Sequence, residues 1–332
     1  MDVFIDPRFD EVYRRHPLVL IDVGARGGLK SNWEPARRHL HLVGFEPDKK
    51  EFGRLVARSD CNEPPTTFFD VALHDRAGRI QFNIARDRGL SSIFEPNRDF
   101  LDSFPDSARF DVIENQLVEA DALDNQLRAH GVDDVDFIKA DTQGSELFVL
   151  QGAARALASF VVGLEVEVEF APIYRGQPLF ADVDRFLQGL GYLLFDLRPC
   201  YWKRSAGLGM GGPRGQIVWA DALYLRSLPA LRKAIAGLDP ALRRAKLLRA
   251  LTICLLYGYC DYALEIVREA GDALAPDDRA VVERRLRESS RRRGLRFPGR
   301  RHLAAALHRL WKLALQPDDA WSVSRATLGN QE

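Results

Sequence analysis

Leu18-Val19-Leu20-Ile21 runs straight into Asp22, and Gly24, Gly27 and Gly28 follow at once. An apolar run this short, closed by glycine, reads as a strand buried on both faces, the kind found in parallel sheets. A turn built on those glycines lets backbone approach a ligand, because no Cβ intervenes. A second apolar run, Val43-Gly44-Phe45, ends on Glu46. A glycine loop followed about twenty residues later by a strand-end acid is the layout of a nucleoside site, the acid taking ribose hydroxyls.

Residues 18–227 alternate apolar runs with amphipathic stretches. That alternation predicts an α/β fold with a doubly wound, mostly parallel sheet. Parallel strands are expected at 18–23, 41–46, 66–69, 135–140 and 161–168. Helices are expected at about 49–58, 120–130, 145–158 and 183–190. Residues 73–94 read as hairpin-like around Asp75-Arg76-Ala77-Gly78. Strands at 192–197 and 216–225 close the sheet as an antiparallel pair. Between them, residues 199–215 read as a glycine-rich loop, either a lid over substrate or a plain surface connection. After Leu228 the spacing turns helical, with breaks near Asp239-Pro240, Ala275-Pro276 and Phe297-Pro298. The expected organisation is a sheet domain at 1–228 and an α-helical extension of three or four helices at 229–332.

Composition narrows the function classes. The chain has 332 residues, 46% hydrophobic and 28% charged, as in an ordinary globular protein. Zero formal net charge argues against nucleic acid as partner. Cys61, Cys200, Cys254 and Cys260 form neither a CxxC pair nor a Cys/His cluster. Scattered so, they suggest free thiols in a reducing compartment. The first fifteen residues are mostly polar, so no secretory leader is expected, and no run reaches the roughly 18 apolar residues of a membrane span. A cytoplasmic location follows, with the inner membrane face left open by the basic tail described below.

The glycine loop itself discriminates between ligands. A dinucleotide fingerprint needs a second glycine where Arg26 stands, so pyrophosphate would lose its closest backbone approach. An acid at Asp22 suits a cationic ligand end, such as the ammonium and sulfonium of S-adenosylmethionine. A turn-forming role for Asp22 is the plainer alternative.

Several blocks resemble the FkbM-type family of S-adenosylmethionine-dependent methyltransferases, in the family's order. They are Ile21-Asp22-Val23-Gly24-Ala25-Arg26-Gly27-Gly28, Gly44-Phe45-Glu46-Pro47-Asp48, Asp70-Val71-Ala72-Leu73, Ser91-Ser92-Ile93, the stretch from Asp136 through Asp141-Thr142-Gln143-Gly144-Ser145-Glu146 to Ala153, and Trp219-Ala220-Asp221-Ala222-Leu223-Tyr224. Asp70 and Ser145 depart from the usual residues. The resemblance implies a class I methyltransferase fold of Rossmann-like type. It implies Gly24, Ala25, Arg26 and Gly27 at the methionine end of the cofactor with Asp22 behind, Glu46 and Pro47 at the ribose, Asp70, Val71 and Ala72 at the adenine, and Asp141 with Gln143 facing the transferring methyl group.

Methyl transfer to an alcohol needs alignment and removal of a proton. Candidate bases are Asp141, Glu165, Glu167, Glu169 and His74. Alternation places the three glutamates of Leu164-Glu165-Val166-Glu167-Val168-Glu169 on one face. Solvation, or pairing of Glu165 with an arginine, is the structural alternative, and His74 is expected to be structural before catalytic. Asp141 with Glu165 or Glu167 is a conceivable Mg²⁺ pair, but a metal-free site is the expectation. Tyr174, Arg175, Tyr201 and Trp202 are candidate substrate contacts.

Arginine crowds the C-terminal third, and Leu303, Ala306, Leu307, Leu310, Trp311 and Leu315 recur at helical spacing. Such a helix packs on the main domain, joins two copies as a homodimer, or lies on an anionic membrane. The reading is an O-methyltransferase acting on a hydroxyl of a saccharide or glycan. A polyketide-like acceptor, a non-catalytic cofactor-binding scaffold and a nicotinamide oxidoreductase are the alternatives.

Overall fold

The computed structural model describes residues 7–59, 65–159, 161–210, 214–291, 297–314, 320–324 and 328. Helix α1 (Pro7–Arg15) leads into β1 (Leu18–Val23), and a 3-10 stretch (Ser31–His39) leads to β2 (Leu40–Phe45), α2 (Lys49–Ser59) and β3 (Thr66–Phe69). Strands β4 (Ala72–Leu73) and β5 (Gly78–Ala85), helix α3 (Arg98–Leu101) and strand β6 (Val112–Asp121) follow. The chain continues through α4 (Leu123–Ala129), β7 (Phe137–Ala140), α5 (Glu146–Gly152), α6 (Ala154–Ser159), β8 (Gly163–Glu169), α7 (Phe180–Gly189), β9 (Tyr192–Trp202) and β10 (Gln216–Arg226). Helices α8 (Leu228–Ile235), α9 (Pro240–Leu256), α10 (Cys260–Glu269), α11 (Pro276–Arg291) and α12 (Arg300–Ala314) precede a last strand, β11 (Ser322–Ser324).

The main sheet has the order β11-β9-β10-β8-β7-β1-β2-β3. Strands β3, β2, β1, β7 and β8 are mutually parallel. β10 runs antiparallel to β8 and β9, and β11 antiparallel to β9. This is the doubly wound, mostly parallel sheet with an antiparallel closing pair that the strand pattern predicts, and it agrees with the class I methyltransferase fold that the resemblance implies. Strand order reverses at β1, between β2 and β7, and in such sheets ligands lie outside the carboxyl ends at that switch point.

The sheet is covered on both faces. One face packs Ile21, Val23 and Ile138 against α4 to α7. The other packs Leu18, Leu20 and Phe137 with Trp33, and against α9 to α11. Every residue of α9 from Ala245 to Leu256 is buried. Helices α8 to α11 of the expected C-terminal extension therefore share one core with the sheet. The segment between β1 and β2 is a 3-10 stretch interrupted by Pro35, too short and irregular to cover that face alone. Five helices are present, because Gly258 adds a break at φ +80 beyond the three that proline signals.

A buried ion cluster fastens α9 beneath the sheet. Asp136, fully buried, accepts from the Val19 amide at 2.9 Å and from Lys246 and Arg249 at 3.0 Å each. Arg249 also donates to Asp134 at 2.8 Å and to the Pro17 carbonyl at 3.0 Å.

Three other expectations change. The region after Leu73 forms a separate three-stranded sheet, β4-β6-β5, rather than a simple hairpin. β6 shows no sequence signal: Glu114, Asn115, Gln116 and Glu119 dominate it, and Val118 and Ala120 are its buried side chains. The helix expected at 145–158 is two, since α5 stops at Gly152, where a Cβ would lie 2.1 Å from the His74 carbonyl oxygen. Finally, Pro199 to Trp202 belong to β9, so the loop expected at 199–215 begins after Trp202. Cys200 and Cys254 are free thiols, and Cys61 lies outside the described residues.

Replacing Arg249 by methionine removes one of the cations that compensate Asp136. The expected cost is about 3–5 kcal/mol of unfolding free energy, read by urea denaturation, with the double variant Arg249→Met, Asp136→Asn recovering part of it.

Candidate active site

The turn after β1 shows why glycine stands there. Gly24 has φ +72, and a Cβ on it would lie 2.0 Å from the Asp141 carbonyl oxygen. Its amide donates to the Phe45 carbonyl at 2.9 Å, so β1, β2 and β7 meet at this residue. Gly27 and Gly28 also have positive φ but face open space.

Below the turn lies a buried ion pair. Lys139 donates to Asp22 at 2.8 Å. Burial disfavours the charge of Lys139, but Asp22 and Asp141 outweigh it and hold its pKa above the ordinary value. Burial pushes Asp22 up, against the pull of Lys139. The charge of Asp22 is thus answered by the protein itself rather than left for a cationic ligand, which corrects the direct role expected for it.

A cavity of about 300 Å³ opens over the carboxyl ends of β1, β2 and β7. Its lining includes Gly24, Arg26, Glu46, Pro47, Val71, Ala72, Asp141 and Gln143, eight residues that sequence reasoning singled out. Glu46 is buried and accepts the Asp48 amide at 2.8 Å. Burial raises its pKa to about 7, opposed by that amide. Val71, Leu73, Phe82 and Ile93 make an apolar wall. Over the opening, Arg88 clasps Asp48 through two hydrogen bonds of 2.7 and 2.6 Å.

The chemistry concentrates at the end of β7. Gln143, at φ +58, donates from one amide nitrogen to Asp141 at 3.0 Å and Glu167 at 2.5 Å. Tyr174 donates its hydroxyl to the Gln143 carbonyl oxygen at 3.0 Å and to the Leu90 carbonyl at 2.9 Å. Burial works to raise Asp141, but Lys139 and hydrogen bonds from Glu167 and Gln143 hold it below the usual carboxylate range. Burial and then the Asp141 charge push Glu167 well above it. The pair is therefore one carboxylate and one carboxylic acid joined by a hydrogen bond, the kind of split that separates base from acid. Glu146, Glu167 and Glu169 bring carboxylate oxygens within 4.8 Å of one another and form the acidic group best placed to take a cation. Burial raises all three, Glu146 to about 7, so they hold protons that a divalent ion would have to displace.

Other expected contacts lie elsewhere. Ala25 and Gly27 are outside the cavity lining, Ala25 being fully buried beneath the turn. Asp70 is exposed just after β3 and does not line the cavity, whereas Val71 and Ala72 do. His74 bonds Asp75 at 2.6 Å and stacks on Phe148, a structural role. Glu165 accepts from Lys30 at 2.5 Å and from Tyr257, the residue that caps the end of α9, at 2.7 Å, which leaves it a link to the helical layer rather than a base. Tyr174 is buried and orients Gln143, while Arg175 pairs with Asp99 at the surface. Trp202 is buried among Phe104, Phe110 and Trp321, and Tyr201 lies under Arg214. None of these four lines the cavity. Sequence reasoning missed Lys30, Asp48, Arg88 and Lys139, which do. Asp48 and Lys139 stood inside blocks already noted, whereas Lys30 and Arg88 reach the site only through folding.

Residues 22–194 match the family described as the methyltransferase FkbM domain. The chain belongs to this family. It is 31% identical over 182 residues to the 2-O-methyltransferase NoeI of Sinorhizobium fredii, covering 50% of this chain and 70% of that protein. Among solved structures it is similar to the magnesium protoporphyrin IX methyltransferase of Synechocystis with bound S-adenosylmethionine, at 9% identity over 66% of this chain and 78% of that one, TM-score 0.32. A putative tRNA (m1A22) methyltransferase of Streptococcus pneumoniae shows 12% identity over 86% and 99% of the two chains, TM-score 0.30. Scores this low mark distant likeness and add nothing to the family assignment. As an FkbM-family member the chain is a methyltransferase, with S-adenosylmethionine as donor.

The two kinds of glycine in the turn are separable. Gly24→Ala is expected to drive the turn off the Asp141 carbonyl and weaken S-adenosylmethionine binding at least tenfold, with a cost of roughly 1–3 kcal/mol in stability. Gly27→Ala carries only the left-handed penalty of about 1–2 kcal/mol and keeps most affinity. Thermal unfolding and calorimetric titration measure both.

Proposed function

We propose that the chain transfers a methyl group from S-adenosylmethionine to a hydroxyl of a saccharide, with residues 1–228 carrying the site and the helices of 229–332 completing its support. The observation that carries the oxygen-directed reading is the carboxyl pair of Asp141, just after β7, and Glu167 of the neighbouring β8. S-adenosylmethionine supplies an activated methyl group on a sulfonium sulfur. The residues present fit it. Glu46 has one carboxylate oxygen taken by the Asp48 amide and the other available for ribose hydroxyls. Val71, Leu73, Phe82 and Ile93 offer the flat apolar slot that an adenine ring fills, and the backbone at Gly24 accommodates the methionine end.

Asp141, ionised and partly buried, takes the proton of the acceptor hydroxyl, and Glu167 steadies the resulting carboxyl pair. Gln143 holds both acids in register, and Tyr174 holds Gln143. Alignment of the reacting atoms contributes up to roughly 7–11 kcal/mol, and the base adds about a hundred- to ten-thousand-fold. A saccharide is favoured over a polyketide because the groups flanking Asp141 in the cavity, Lys30, Thr142, Gln143 and Ser145, are hydrogen-bonding rather than apolar. The 2-O-methyl transfer of the rhizobial relative agrees.

Two experiments test this. Asp141→Asn is expected to lower kcat about a hundredfold or more with cofactor affinity kept, while the native enzyme keeps its turnover in EDTA. Full turnover of the variant removes Asp141 from the base role, and donor binding without turnover on any saccharide, polyketide or amine acceptor supports a scaffold instead. For Glu46, the ionised form accepts ribose hydroxyls, so protonation below about pH 7 must weaken binding. Affinity should fall up to about tenfold per pH unit on the acid side of that value, and Glu46→Gln should bind weakly with a flat profile. A flat profile in the native enzyme overturns the ribose assignment.

A further inference from the structure

The Leu303, Leu307 and Leu310 side chains of α12 are 50%, 56% and 63% exposed. Every residue from Arg300 to Leu310 is exposed, so the packing of this helix on the main body, one of the roles open from sequence, is not what the structure shows. Leu303, Leu307, Leu310 and Ala314 fall at helical spacing on one face. Arg301, His308, Arg309 and Lys312 occupy the positions opposite, and residues 297–314 contain no acid. Beyond α12 the chain returns to the main sheet, where β11 pairs with β9 at Cys200 to Trp202. That end of β9 lies beside the start of β10, and Trp219 of β10 pairs with Glu169 at the carboxyl end of β8. Five residues lie between Ala314 and Ala320, so the two are at most roughly 20 Å apart. The end of α12 is therefore within that distance of the segment that leads into β11, at the end of the sheet on which the active site opens.

We propose that α12 is an interfacial helix that lays its leucine face into an anionic lipid surface and presents the active-site rim to it. An exposed apolar stripe backed by a wholly basic face is what such a surface complements. Pairing with a second copy fits less well, because two basic faces would flank the seam with no acid to answer them. The proposal does not depend on the identity of the acceptor.

The test uses the full chain and vesicles of phosphatidylcholine with or without phosphatidylglycerol. Sedimentation is expected to show binding to the anionic vesicles only, falling as salt rises. The double variant Leu307→Glu, Leu310→Glu should lose binding more than tenfold, and Arg301→Gln and Arg309→Gln should each weaken it about fivefold. S-adenosylmethionine affinity and thermal unfolding should stay as in the native chain, which separates this proposal from the catalytic reading. Failure to bind the anionic vesicles, or unchanged binding by the leucine variant, overturns it. So does a dimer in sedimentation velocity that the leucine variant dissolves without any vesicle binding, which would make α12 a self-association face.

Discussion

Burial of β1 on both faces is the constraint on which the rest of the structure depends. All six of its residues are buried, Asp22 among them. A parallel strand so placed needs a layer on each side. Helices α4 to α7 form one. The 3-10 stretch that follows β1 cannot form the other by itself, and helices α8 to α11, drawn from the far end of the chain, complete it. The Asp136, Lys246 and Arg249 cluster fixes α9 in that position. Helices α8 to α11 are thus part of the same folded body as the cavity, although the family match ends at residue 194.

The same burial governs the chemistry. A carboxylate at a shielded strand end must find a cation, accept hydrogen bonds, or keep its proton. Asp22, Asp48, Glu165 and Asp221 are answered by Lys139, Arg88, Lys30 and Arg198. Among the described residues Glu146, Glu167 and Glu169 form no ion pair, and burial drives them toward the acid form. Asp141 lies between the two groups, within the field of Lys139 and hydrogen-bonded to Glu167. One ionised and one protonated carboxyl at hydrogen-bond distance is the consequence.

Much of this was legible in the chain. The parallel strands are short and uniformly apolar, so β1, β2 and the strand ending at Asp141 stand out, and with them Gly24, Glu46 and Asp141. β6 escaped because its two buried side chains are surrounded by polar ones. Tyr201 and Trp202 looked like loop aromatics because the glycines after them suggest a loop, yet β9 runs on through both, since Trp202 is covered by Phe104, Phe110 and Trp321 from three other parts of the sequence. Tyr174 read as a substrate contact for want of any local sign that its hydroxyl would find Gln143, thirty-one residues away.

The sequence by itself determined the sheet, the glycine turn and the strand-end acids, because each rests on local periodicity and on backbone conformations that few residues adopt. Tertiary structure alone decided which acids carry charge, that Lys30 and Arg88 reach the cavity, and that Leu303, Leu307 and Leu310 of α12 are left in solvent. Those outcomes depend on burial and on partners distant in the chain, and neither is written in any local pattern.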